Sequence, residues 1–270
     1  MLMDCFIHKP KGFLSEYVKS IWIMDNFEKC DNDICIPLIP SGCAEIVFHL
    51  DGKGKYAANN FNDYLITNAS VSGQKLYHKN YYSINSSGIL AVILQPDASN
   101  IILGMPSNLI SNATINLMDV FGNSAQYLLE QINDESDKNN MISIVEKFFL
   151  KKIKNLKDKR ITQFVQETTI QGGCVNLPQM ASRLNLSLRQ LERKVIESVG
   201  LSPKEFSRII RFQKSLFVKQ HNLKISLTTL SYECGYFDQS HFIKEFKSIS
   251  GYAPKKFFKL SPAFSDYYSL

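Results

Sequence analysis

Arg189, Gln190 and Arg193 stand in the first two turns after Ser187; Ser240, His241 and Lys244 occupy the corresponding places after Asp238, with Gln239 one place ahead of them. Guanidinium forks and carboxamides set this way exchange paired hydrogen bonds with flat donor and acceptor edges such as nucleobases present, and Glu192 can accept from an exocyclic amine. Lys204 and Lys255 follow directly on a proline that opens a helix, and Lys256 comes one residue later. A lysine there is a flexible point charge suited to a phosphate oxygen rather than to a base edge. A polar helix start is also what a merely solvated face looks like, so the arrangement carries the reading and no single side chain does.

The elements that position these residues are written twice. Asn176-Leu-Pro-Gln-Met-Ala-Ser-Arg-Leu-Asn-Leu186 lies on Ser226-Leu-Thr-Thr-Leu-Ser-Tyr-Glu-Cys-Gly-Tyr236 at a shift of fifty. Asn176 and Ser226 are helix N-caps, Met180 and Leu230 are core positions, and Ala181 and Ser231 are small where another helix approaches. Asn185 and Gly235 are the residue types that tolerate the left-handed backbone of a tight inter-helix turn. One extra residue, Phe237, moves the shift to fifty-one, and Ser187 with Asp238, Leu191 with Phe242, Val195 with Phe246 and Gly200 with Gly251 continue the match. Each copy predicts a helix-turn-helix, at 176–200 and 226–251. Between them, residues 203–220 predict a rigid connecting helix of ~27 Å at 1.5 Å per residue. Such a spacer suits two leading helices about one turn of duplex apart, ~34 Å, in successive major grooves.

Charge agrees with this division. Residues 1–155 hold 13 Lys and Arg against 16 Asp and Glu, net −3, whereas residues 156–270 hold 18 against 9, net +9. A basic module meets a polyanion, and nucleic acid is favoured over a membrane surface because neither a lipidation box nor a long apolar run is present. With 44% hydrophobic residues the chain is expected to fold, as two domains at 1–155 and 156–270. The opening Met1-Leu-Met-Asp4 places an acid where a secretion signal carries positive charge, so a cytoplasmic protein with reduced thiols is expected. No Walker loop, dinucleotide fingerprint, nucleophile elbow or zincin motif occurs, and no enzyme or cofactor is expected.

The first hundred residues read as short strands between turn signals, with a hairpin turn at Asp51-Gly52 and a fully buried strand at Gly88–Leu94. Helical spacing follows over Val120–Ile132 and Met141–Ile153. The aromatic residues Trp22, Phe27, Phe48, Tyr77, Tyr81 and Tyr82 either fill a core or line a small-molecule cavity, for which Trp22, Phe48, Tyr77 and Tyr82 are the ligand candidates. His49, Glu45, His78 and Cys43 fit no metal-ligand spacing. Cys30 and Cys35 have only Lys29 beside them to favour a thiolate.

On these motifs, residues 158–260 resemble the DNA-binding domain of the AraC/XylS family of bacterial transcription regulators. Gly235-Tyr-Phe-Asp-Gln-Ser-His-Phe-Ile-Lys-Glu-Phe-Lys247 followed by Gly251-Tyr-Ala-Pro-Lys-Lys-Phe257 is close to that family's signature; Ser231 and Cys234 depart from its usual small and hydrophobic residues. The run Ile39-Pro-Ser-Gly-Cys-Ala-Glu-Ile-Val-Phe48, with Val71-Ser-Gly73 and Leu94-Gln-Pro-Asp-Ala98, is similar to the uncharacterised sensor-type domain of one AraC-like subgroup. The resemblance implies an α+β first domain, a cupin-like small β barrel plus helices, followed by an all-α domain of two helix-turn-helix units joined by a long helix. It implies promoter DNA and RNA polymerase as partners, an activator's role, and a first domain that binds an effector or forms a homodimer. A metal-dependent enzyme domain fused to the DNA-binding module is the remaining alternative.

Overall fold

The computed structural model describes residues 4–25, 34–57, 64–84 and 86–260. Cys30, Phe27 and the side chain of Cys35 fall outside this description. The strands are β1 (Asp4–His8), β2 (Val18–Asp25), β3 (Ile34–Leu38), β4 (Glu45–Leu50), β5 (Lys53–Ala57), β6 (Tyr64–Thr67), β7 (Ala69–Ser72), β8 (Lys79–Ile84), β9 (Gly88–Leu94) and β10 (Thr114–Asn116). Among the described residues they form two antiparallel sheets, ordered β1-β2-β9-β4-β7-β10 and β3-β8-β5-β6, without closing into a barrel.

The expected hairpin at Asp51-Gly52 is not one. β4 pairs with β7 and β9, and β5 pairs with β6 and β8, so the turn carries the chain from one sheet to the other. Asp51 does take the left-handed backbone at φ 53°, but strand partners are chosen by distant residues, which a dipeptide cannot specify.

β9 sits at the centre of the larger sheet and is buried on both faces, hence its unbroken apolar run. The two-residue period sorts the side chains. Leu90, Val92 and Leu94 of β9, Ile46, Phe48 and Leu50 of β4, and Ile21 and Ile23 of β2 join the larger core with the helices that follow. Trp22, Met24, Val47, Ile89 and Ala91 lie on the opposite face. Each fully buried side chain of this size contributes about 1.5–3 kcal/mol.

The helices are α1 (Ser99–Leu103), α2 (Leu117–Phe121), α3 (Asn123–Asn133), α4 (Lys138–Lys152), α5 (Lys159–Ile170), α6 (Leu177–Arg183), α7 (Leu188–Val199), α8 (Pro203–His221), α9 (Leu227–Glu233), α10 (Gln239–Ser250) and α11 (Pro254–Leu260). The helix expected over Val120–Ile132 is broken at Gly122, with φ 56°, into α2 and α3. Asp137 caps α4 by accepting from the Asn140 N–H, so this helix starts three residues ahead of the expected Met141. A second core runs from Ile161 of α5 to Phe257 of α11, and Ile39 from the strand-rich half is buried in it. No helix among the described residues is long and apolar enough to cross a membrane.

Candidate nucleic-acid interface

Local chemistry builds each half of the interface. Asn176 and Ser226 cap α6 and α9 through the backbone N–H groups of Gln179 and Thr229. Asn185 and Gly235 then turn the chain at φ 53° and 75°. Ser187 opens α7 with a reciprocal capping box to Gln190, and Asp238 opens α10 by accepting from the His241 N–H. Phe237, the residue that shifts the repeat, is 86% exposed and displaces nothing in the core.

Leu191, Val195 and Val199 bury one face of α7, and Phe242, Phe246 and Ile249 bury the matching face of α10. Between the units, α8 spans 19 residues, about 28 Å at the usual helical rise. Ser202 and Glu205 form its capping box, with Pro203 between them. Arg208 of α8 donates from Nε to Glu245 at 3.1 Å and from a terminal nitrogen to Ser248 at 3.1 Å, fixing α10 on the spacer. The first unit is held by Asp158, which caps α5 and meets Arg160 and Lys194 at 2.8 and 3.0 Å. The Arg160 guanidinium, with Lys194 beside it, keeps the Asp158 carboxyl well below the usual carboxylate range.

Opposite the buried stripes, the polar faces remain in solvent. Arg189, Gln190, Glu192 and Arg193 are exposed on α7, as are Ser240, His241 and Lys244 on α10. Gln239 is half-buried, accepting from the Thr228 hydroxyl at 2.6 Å. His241 leans back, its ring 5.4 Å from that of Tyr236 and its Nε2 4.0 Å from Glu245. Lys204, Lys255 and Lys256 are exposed at the starts of α8 and α11. Pro106, Asn108 and Leu109, from a 3-10 turn of the strand-rich half at Ser107–Ile110, form one wall of a cleft whose other wall holds Arg189, Gln190 and Arg193.

The strand-rich half has a narrow cavity of its own between the sheets, of about 70 Å³. Trp22, Tyr56, Tyr81, Lys19, Cys43 and Glu45 contribute to its lining. Of the four ligand candidates only Trp22 is among them. Phe48 points to the helix-covered face of β4, because alternation along the strand separates it from Val47. Tyr82 turns away from the neighbouring Tyr81 and meets Tyr64 at 6.4 Å. Tyr77 is exposed and accepts a hydrogen bond from Asn112. Tyr56 was absent from the sequence expectation, although the alternation of β5 and β8 could have selected it with Tyr81. His49 is fully buried between these two tyrosines, with Nε2 2.8 Å from the Tyr56 hydroxyl and Nδ1 3.2 Å from that of Tyr81. Burial lowers its pKa from 6.5 to about 4. Among the described residues no three His, Cys, Asp or Glu side chains are placed to hold a metal ion.

Paired helix-turn-helix units on one long helix, each presenting a polar leading face, define a protein of the helix-turn-helix class. Its C-terminal part, residues 180–260, matches the AraC-type family described as "Helix-turn-helix domain". Residues 7–116 match a "Domain of unknown function (DUF6597)". The chain is similar to the HTH-type transcriptional activator RhaS of Escherichia coli (strain K12 / DH10B), 31% identical over 81 residues, which are 30% of this chain and 29% of the relative. It thus spans under a third of that relative's length. Among solved structures it is similar to unsaturated fatty acid bound wild-type ToxT from Vibrio cholerae strain SCE256, at 13% identity and a TM-score of 0.48, covering 97% of this chain and 98% of that one. Another is the C-terminal domain of AraT, a response regulator from Geobacillus stearothermophilus, at 20% identity and a TM-score of 0.36, covering 38% and 87%.

Proposed function

We propose that the chain is a cytoplasmic, sequence-specific transcription activator that reads two successive major-groove segments of promoter DNA and works with RNA polymerase. The observation that carries this is the exposed polar face of α7 and of α10 at matching positions of a structural repeat, with α8 as spacer. Arg189, Gln190, Arg193, Gln239, Ser240, His241 and Lys244 are assigned to base edges, and Lys204, Lys255 and Lys256 to phosphates. Residues 1–155 form the sensing or dimerising domain and residues 156–270 the reading domain. The cavity lined by Trp22, Tyr56 and Tyr81 supports control by a small-molecule effector over a domain that only dimerises, and over a metal-dependent enzyme.

Selection of duplexes from a random pool by the full chain tests the reading. Two half-sites about one helical turn apart, ~10 base pairs, are expected to be enriched. Absence of any sequence preference at physiological ionic strength would refute it.

A further inference from the structure

The repeat that relates α7 to α10 also marks where the strand-rich half holds them. Ser107 donates from Oγ to the Ser198 carbonyl at 2.8 Å, and the backbone N–H of His78 donates to the Ile249 carbonyl at 2.8 Å. Ser198 and Ile249 are matched by the fifty-one-residue shift. The matched glycines are held as well: the Ser111 hydroxyl donates to the Gly200 carbonyl, and the His78 ring lies against Gly251, where an added Cβ would meet it at 2.2 Å. Both glycines end their helices in the left-handed region, at φ 90° and 77°. The last carbonyls of a helix have no partner within it, so the same two sites are open on both units.

The two holding segments are one piece. Asn112 donates its N–H to the Gln74 carbonyl at 2.7 Å, accepts at Oδ1 from the Leu76 N–H at 3.4 Å, and donates its side-chain amide to the Tyr77 hydroxyl. Lys79 reaches its carbonyl. A third attachment lies on the spacer: Gln213 of α8 donates to the Pro40 carbonyl, next to Ile39 in the helical core.

We propose that the strand-rich half is a brace that sets the separation and mutual tilt of α7 and α10, with Ser107, Ser111, His78 and Gln213 as positioning residues. The brace rests on the DNA-reading function proposed above and adds to it a preference for one spacing between half-sites. Two units on a single spacer must give up relative freedom to occupy paired sites, and a brace removes that cost before binding.

The test titrates the full chain onto four duplexes: the selected site, the same site with two or with five base pairs inserted between its halves, and one half-site alone. Ser107→Ala with Ser111→Ala should weaken full-site binding roughly fivefold to tenfold and flatten the preference among spacings, with half-site affinity unchanged within about twofold, because only the linkage between the halves is altered. Gln213→Ala touches neither leading helix and should move the spacing preference the same way, even if the double variant folds poorly. Spacing preference unchanged in both variants, or tighter full-site binding in either, overturns the brace while leaving DNA reading intact. An unaltered chain without sequence preference overturns both.

Discussion

His49 offers a titration whose size follows from its surroundings. The imidazole is fully buried, its nitrogens are matched to two neutral hydroxyls, and burial lowers its pKa from 6.5 to about 4. The unfolded chain takes up a proton on this ring below about pH 6.5, while the folded chain does so only near pH 4. Stability from this group is therefore complete above pH 6.5 and is lost as pH falls toward 4. At 1.36 kcal/mol per pKa unit the total is about 3 kcal/mol. Trp22, the single tryptophan, is buried on the cavity that the His49 partners Tyr56 and Tyr81 also line, and reports unfolding of the strand-rich half. Urea transitions followed by its fluorescence between pH 4 and 7 should weaken with acid by that amount beyond the trend in His49→Asn, which keeps every other titrating group. Parallel trends in the two proteins would show that the imidazole is not the group responsible.

Arg189→Ala should lose ~1–3 kcal/mol of binding concentrated at one base pair, and Lys255→Ala should weaken every duplex alike and reduce the salt slope by about one, both read by anisotropy across sequences and salt concentrations. Phe246 is fully buried, with its ring 5.0 Å from Phe212 and 5.3 Å from Phe257, so Phe246→Ala should cost about 3–5 kcal/mol in urea denaturation. Asp97, 3% exposed, holds Lys157 at 2.9 Å and the Thr162 hydroxyl at 2.6 Å. Asp97→Ala should cost about 3 kcal/mol in the same assay, since it leaves a mostly buried ammonium unpaired.

The helix-turn-helix pair was legible in the sequence because its determinants act within one or two turns. Asn176, Ser187, Ser226 and Asp238 cap by reaching N–H groups three residues ahead, and Asn185 and Gly235 bend the chain by their own backbone preference. The central strand Gly88–Leu94 was legible for a similar reason, being apolar throughout. Tertiary structure alone decided which strands pair, so Asp51-Gly52 bridges two sheets and Phe48 and Tyr82 turn away from the cavity. It alone brought Ser107 to Ser198 and Ser111 to Gly200, across 91 and 89 residues of chain. A serine carries no mark of a partner so distant; only the closing of the chain on itself selects which free carbonyl its hydroxyl will meet.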